Sequence, residues 1–271
     1  MPTLYLIATP IGNLEDVSLR ALRVLSEVGL VAAEDTRKTR RLFARHNIKT
    51  PLTSYHEYSS EATLHYLLDK LKEIDVAMVS EAGMPGISDP GYPLVLAAIE
   101  RGIPVVPIPG PSVVLTALAV SGLPTNRFLY LGFLPRRQSE RRLLLTSTAN
   151  ERGTIVVFES PHRLRASLGD IATTLGDRRI AVCREMTKFH EEVFRGNVAA
   201  ALEHFQEPRG EFTLVIEGAT AEPPHAEPAH VQSALRQLRD NGIPAKEAVS
   251  RVSKDLGLPR REVYKAWLEL M

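Results

Sequence analysis

Four glycine- and proline-rich segments each stand directly after a short apolar run, where a chain can hold a ligand. They are Thr9-Pro10-Ile11-Gly12-Asn13-Leu14, Glu81-Ala82-Gly83-Met84-Pro85-Gly86-Ile87-Ser88-Asp89-Pro90-Gly91, Pro107-Ile108-Pro109-Gly110-Pro111-Ser112 and Glu159-Ser160-Pro161-His162-Arg163. Glycine lets backbone approach a bound molecule closely. A helix starting at such a loop offers free N–H groups. One loop of this kind reads as a turn and nothing more. Four, each at the end of an expected strand, point to a nucleotide-like ligand. The phosphate fingerprints are missing: no G-x-G-x-x-G follows the first strand and no G-x-x-x-x-G-K-[ST] occurs. Ile11, Leu14, Met84, Ile87, Val113 and Val114 stand beside the glycines instead. That suits a flat purine carrying little phosphate charge. S-adenosylmethionine, with its sulfonium cation, is such a ligand.

Cations gather in two runs. Arg37, Lys38, Arg40, Arg41 and Arg45 fall on one expected helix, and Arg136, Arg137, Arg141 and Arg142 on another stretch. Either run is a solvated face or a contact for nucleic-acid phosphate. The net charge of the 271-residue chain is +1, so any such contact is local rather than global. The single cysteine, Cys183, excludes an internal disulfide and a cysteine zinc site, and its run Ile180-Ala181-Val182-Cys183 predicts a buried thiol. No metal is expected. No apolar run reaches the ~18 residues of a membrane span, and the N-terminus carries no basic leader. The expected location is the cytoplasm. His56 reads as structural.

The elements that must position these loops alternate. Strands are expected at Thr3–Ala8, Leu30–Ala33, Asp75–Ser80 and Pro104–Pro107. Helices are expected at Leu19–Val28, Thr36–Arg45, Ala62–Lys72, Tyr92–Arg101 and Ser112–Ser121. This is an α/β layer with a mostly parallel sheet. Gly122–Arg137 changes character and suggests a domain boundary. A second α/β unit follows: helices near Glu140–Ala149, at Arg163–Leu175 and at Val198–Phe205, and strands at Thr154–Phe158, Arg179–Arg184, Glu192–Arg195 and Glu211–Glu217. Three prolines within Ala221–Pro228 read as an extended linker. Amphipathic helices His230–Asn241, Ala245–Leu256 and Arg260–Leu270 then form a helix-turn-helix-like module. The expected domains are residues 1–122, 123–220 and 221–271.

Several blocks together form a known pattern. Leu6–Asp16, Ala32-Ala33-Glu34-Asp35-Thr36-Arg37, His56-Glu57, Val79–Gly91, Pro107–Ser112, Phe128–Pro135, Phe158–Arg163, Arg184-Glu185-Met186-Thr187-Lys188 and Gly210–Gly218 follow one another in order. The chain resembles the bacterial 16S rRNA (cytidine-2′-O)-methyltransferases of the tetrapyrrole methylase superfamily over about residues 3–218, and more loosely in the C-terminal helices. Two segments depart from that pattern. Glu81 and Met84 stand where the family has Asp and Thr, and Tyr58-Ser59 where His-Asn is common.

The resemblance implies a tetrapyrrole-methylase-like fold: two α/β domains with S-adenosylmethionine in the cleft between them, plus the helical module, in a homodimer. Its binding positions transfer to Pro10, Gly12, Gly83, Met84, Ile87, Val113, Val114, Glu159, Met186, Phe212 and Thr213. Catalytic candidates lie in the matched blocks. Lys188 and Arg37, with an acid from Glu34 or Asp35, are expected around the acceptor ribose of 16S rRNA in the small ribosomal subunit. Plainer readings stand beside them. Glu34-Asp35 could stabilise a helix start, Asp89-Pro90 could be a helix cap, Arg163 could contact phosphate and Lys188 could be a solvated loop lysine. Lys246, Arg251, Lys254, Arg260, Arg261 and Lys265 could dock rRNA, or the module could serve packing alone. Two other activities share the cleft: methylation of a porphyrinoid carbon, and RNA binding without catalysis.

Overall fold

The computed structural model describes residues 2–220, 228–256 and 260–270. The chain divides into two compact units, residues 1–218 and 219–271.

The first unit holds two five-stranded sheets. Strands β1 (Leu4–Ile7), β2 (Leu30–Ala33), β3 (Leu52–Ser54), β4 (Val76–Val79) and β5 (Val105–Ile108) are ordered β3-β2-β4-β1-β5, all parallel. The apolar runs of β2 and β4 are buried throughout, because helices cover both faces. Ile7, Val31, Ala33, Ala77, Val79 and Ile108 face α1 (Leu19–Glu27) and α2 (Thr36–Arg45). Leu4, Leu30, Ala32, Val76 and Met78 face α3 (Glu61–Lys70) and α4 (Tyr92–Glu100). Adjacent strands β1 and β4 therefore send their chains to opposite faces. That is the switch point at which open α/β sheets collect ligands.

The helix α5 (Val113–Val120) is apolar but buried on one face only, with Leu115 and Val120 exposed on the other. Its Val114, Ala117 and Leu118 pack with Val156, Ala181, Cys183 and Val215 of the second sheet. Arg195 donates twice to the Val120 carbonyl, at 2.9 and 2.6 Å, placing a cation at the negative end of α5. This helix joins the two halves.

The second sheet is mixed, in the order β6-β7-β10-β8-β9, from β6 (Phe128–Phe133), β7 (Thr154–Glu159), β8 (Arg179–Arg184), β9 (Glu192–Asn197) and β10 (Phe212–Ile216). β10 runs antiparallel to both neighbours. Its far face carries α6 (Gln138–Ser147), α7 (Leu164–Leu175) and α8 (Val198–His204) over Ile155, Val157, Val182 and Leu214.

Two strands were not legible as strands. β3 is a three-residue edge strand behind Pro51. β6 is an edge strand interrupted by Gly132 at φ +68°, where its register shifts. Cys183 is buried, as expected.

The second unit packs α9 (Pro228–Asp240), α10 (Ala245–Asp255) and α11 (Arg260–Leu268) around Leu235, Ala248, Val252, Val263 and Trp267. The expected linker, most of which spans 221–227, and the turn at 257–259 lie outside the described residues, as does the side chain of Lys254. Among the described residues no helix is long and apolar enough to cross a membrane.

Candidate active site

The β1 and β4 loops are stitched together at the switch point. Thr9 N–H donates to the Gly83 carbonyl at 2.9 Å, and Gly83 N–H returns the bond to Thr9 at 3.0 Å. Gly83 can do this because it sits at φ +83°, a conformation that side chains oppose. The Ser80 hydroxyl donates to the same Gly83 carbonyl at 3.2 Å. The β1 loop also meets the loop after β8. A Cβ on Gly12 would lie 2.6 Å from Lys188 Cγ and 2.7 Å from the Met186 carbonyl, so only glycine permits the approach.

These loops border two adjoining chambers. The first, about 420 Å³, is lined from the first half by Ile11, Glu34, Glu81, Gly83, Met84, Ile87, Asp89, Val113 and Val114. From the second half come Phe133, Phe158, Glu159, Cys183, Met186, Glu211, Phe212 and Thr213. Nine of the expected cofactor residues are thus brought together. The other two, Pro10 and Gly12, line the second chamber with Lys38, Arg41 and Lys188; its volume is about 370 Å³. Ile11, Glu81, Ala82 and Glu211 border both. Phe133 and Phe158, whose rings meet edge-on at 5.4 Å, lie within the matched blocks but were not singled out as binding residues.

No lysine, arginine or histidine lines the first chamber among the described residues, whereas five carboxylates do. Three of these have cationic partners. Glu159 is buried, pairs with Arg163 at 2.7 Å and accepts from the Ser167 hydroxyl at 2.5 Å. Glu81 pairs with Lys38. Glu211 pairs with Lys188 at 2.8 Å. Glu34 and Asp89 have no ion pair among the described residues. Glu34 accepts the Glu81 N–H at 2.9 Å. Burial raises its pKa above the ordinary carboxylate value, despite the opposing charge of Lys38. Asp89 is pushed up to about 6, first by burial and then by the charge of Glu34, with the Ser80 hydroxyl opposing.

The four catalytic candidates separate. Glu34 lines the first chamber and Lys188 the second. Asp35 and Arg37 line neither. Asp35 caps α2, accepting the Arg37 N–H at 2.8 Å, and its other oxygen pairs with the Arg37 guanidinium at 3.1 Å. Lys188 is held by Glu185 at 3.0 Å and by Glu211. Burial works against its charge, but the hydrogen bonds to Glu211 and Glu185 outweigh it and raise its pKa. Asp89 is not a helix cap: α4 is capped by Gly91 at φ +144°. Arg163 is committed to Glu159 and to the Leu134 carbonyl at 2.9 Å rather than held out for phosphate.

Residues 3–202 match the family model for Tetrapyrrole (Corrin/Porphyrin) Methylases. This chain belongs to the tetrapyrrole methylase family. Residues 225–271 match the RsmI C-terminal HTH domain. Close relatives are ribosomal RNA small subunit methyltransferase I proteins. The one from Synechocystis sp. is 46% identical over 100% of this chain and 99% of its own. The one from Halalkalibacterium halodurans is 45% identical over 98% and 94%. The one from Thermotoga maritima is 50% identical over 221 residues, which make up 80% of this chain and 99% of its own. Among solved structures, the methyltransferase CobJ superposes with a TM-score of 0.61 at 17% identity, over 81% of this chain and 95% of its own. A diphthine synthase also gives 0.61, at 14% identity, over 80% and 90%. Those two likenesses show a shared fold.

Proposed function

We propose that this chain transfers a methyl group from S-adenosylmethionine to the ribose 2′-hydroxyl of a cytidine in small-subunit (16S) ribosomal RNA. The observation that carries the reading is the character of the first chamber: apolar walls, carboxylates and no basic side chain among the described residues. Such a chamber repels phosphate and favours a flat cation. Its volume falls within the ~300–1,000 Å³ usual for small-ligand sites. Bound there, S-adenosylmethionine supplies an electrophilic methyl group on a sulfonium centre. Gly83, Met84, Ile87, Val113, Val114, Glu159, Met186, Phe212 and Thr213 would hold it, with Pro10 and Gly12 bordering it from the second chamber. Glu34 and Asp89 leave negative charge for the sulfonium.

The RNA half of the reading is supported by the names of the relatives, by the cations of the second chamber and by the basic C-terminal helices. A ribose hydroxyl must lose a proton as it attacks. Lys188 remains an ammonium and can lower the pKa of a hydroxyl brought beside it. Glu34, made more basic by burial, is suited to take the proton. Asp35 and Arg37 fix the start of α2, which carries Lys38 and Arg41 into the second chamber. We also infer a homodimer in the cytoplasm. Tyr92, Leu96 and Ile99 leave an apolar stripe exposed along α4, in keeping with a covered face.

The test is transfer of labelled methyl to purified small subunits lacking the modification, followed by nucleoside digestion. The expected product is 2′-O-methylcytidine. Salt-sensitive binding without transfer would make the chain a non-catalytic RNA-binding protein. No RNA labelling with cofactor binding intact would turn the substrate search to tetrapyrroles.

A further inference from the structure

We propose that the second chamber docks the acceptor nucleotide, with Arg41 on a flanking phosphate and Phe189 stacked on the base. This rests on the RNA methyltransferase reading above. The two chambers differ in charge: cations line only the second among the described residues. Two of its three cations are already paired, Lys38 with Glu81 and Lys188 with Glu185 and Glu211. Arg41 is exposed and has no ion pair or hydrogen bond among the described residues. Residues 38, 41 and 45 share one face of α2, so Arg45 extends the same row by a turn. An RNA strand entering here meets a line of cations, which is what phosphate needs. The shared wall of Ile11, Glu81, Ala82 and Glu211 lets a ribose in this chamber face a methyl donor in the other.

Phe189 follows Lys188 directly and is 96% exposed. The Glu191 N–H donates to the Lys188 carbonyl at 3.1 Å, so Phe189 and His190 form the corner of a tight turn. A lone exposed aromatic is ordinary on a protein surface. This one sits on a turn with a fixed base. Glu185 and Thr187 adopt φ +50° and +65°, strained for residues with a side chain, and the Thr187 N–H is held by Glu191 at 2.5 Å. The turn therefore carries a flat apolar ring one residue beyond Lys188, which lines the cationic chamber. Enzymes that act on single nucleotides draw them out of the stack and rest the base on such rings.

The test compares the full-length wild type with Arg41→Ala, Phe189→Ala and Phe189→Trp on small subunits lacking the modification. The readouts are kcat, KM for the subunit, its salt dependence, and cofactor affinity by calorimetry. Phe189→Ala is expected to raise the subunit KM at least about fivefold, and Phe189→Trp to restore it. Arg41→Ala should raise KM and reduce the log–log salt slope by about 0.7–0.9. Cofactor affinity should stay unchanged throughout, which separates impaired docking from misfolding. Wild-type KM and salt slope in both alanine variants, with the wild type active, would overturn the proposal and leave the function standing. No transfer by the wild type would overturn the function, and the nucleotide site with it.

Discussion

At the scale of single residues, the unpaired carboxylates give the site a pH signature. Asp89, ordinarily near 3.8, titrates near about 6. Above that pH it is ionised and favours a cation in the first chamber; below it the attraction disappears. Affinity for S-adenosylmethionine is therefore expected to rise between about pH 5 and 7. Asp89→Asn should flatten that rise. The demethylated product, whose sulfur is neutral, should show little of it. Equal pH slopes for the two ligands in calorimetry would refute the assignment. Stability runs the other way in the empty protein. A raised carboxylate pKa means that the folded state holds the proton longer, so stability falls as pH rises from about 4 through about 6. Melting curves of Asp89→Asn should lack that fall. In the proposed function Lys188 serves as a fixed cation rather than a base; on that reading Lys188→Met should lower kcat about 100-fold with cofactor affinity retained. Near-normal turnover would remove it from the chemistry. The loops around these groups were legible because glycine and proline announce tight backbone. The division of labour between neighbours Glu34 and Asp35 was not, since it depends on which carboxylate the turn into α2 directs to the chamber and which to the backbone.

At the scale of elements, α2 and the α6–α7 pair show how sequence and packing divide the work. The Asp35 cap is compatible with a purely structural role, and two substitutions separate that from catalysis. Asparagine caps helices as well as aspartate does, whereas alanine does not. Asp35→Asn should keep both the melting temperature and turnover, and Asp35→Ala should lower the melting temperature. A stable but inactive Asp35→Asn variant would return Asp35 to the chemistry. The run Arg136–Arg142 read as either a solvated face or a contact for phosphate, yet two of its members are structural. Arg141 is 4% exposed and pairs with buried Asp170 at 2.6 Å, and Arg142 binds the other Asp170 oxygen at 2.7 Å. Asp170→Ala would leave a buried guanidinium unpaired, at a cost of about 3–5 kcal/mol. Thermal unfolding should fall by about 10 °C; an unchanged melt would mean that water replaces the carboxylate. Charge runs are ambiguous in sequence because pairing is a long-range fact: Asp170 lies 29 residues from Arg141. Strand β6 was obscured for a related reason. Its glycine bulge breaks the alternation by which strands are recognised, while pairing with β7 restores it in space.

At the scale of the whole molecule, the catalytic fold and the helical module are separate compact units with separate cores. The Thermotoga maritima relative, nearly all of which aligns, has no counterpart for about a fifth of this chain. The module's core is small, and domains of ~50 residues bury only modest surface. Its exposed cations include Lys246, Arg251, Arg260, Arg261 and Lys265. Arg251 is engaged by Glu247 at 2.5 Å and Arg260 by the Ser250 hydroxyl, whereas Arg261 has no ion pair among the described residues. Cutting the chain after Thr220 should leave cofactor affinity and the melting of the first unit unchanged. It should also weaken binding to small subunits and lower the salt slope by about 0.7–0.9 for each phosphate that the module had neutralised. Weakened binding with an unchanged slope would mean that the module docks through apolar contacts. Unchanged binding with a lowered melting temperature would make it a stabilising appendage and leave RNA recognition to the row on α2.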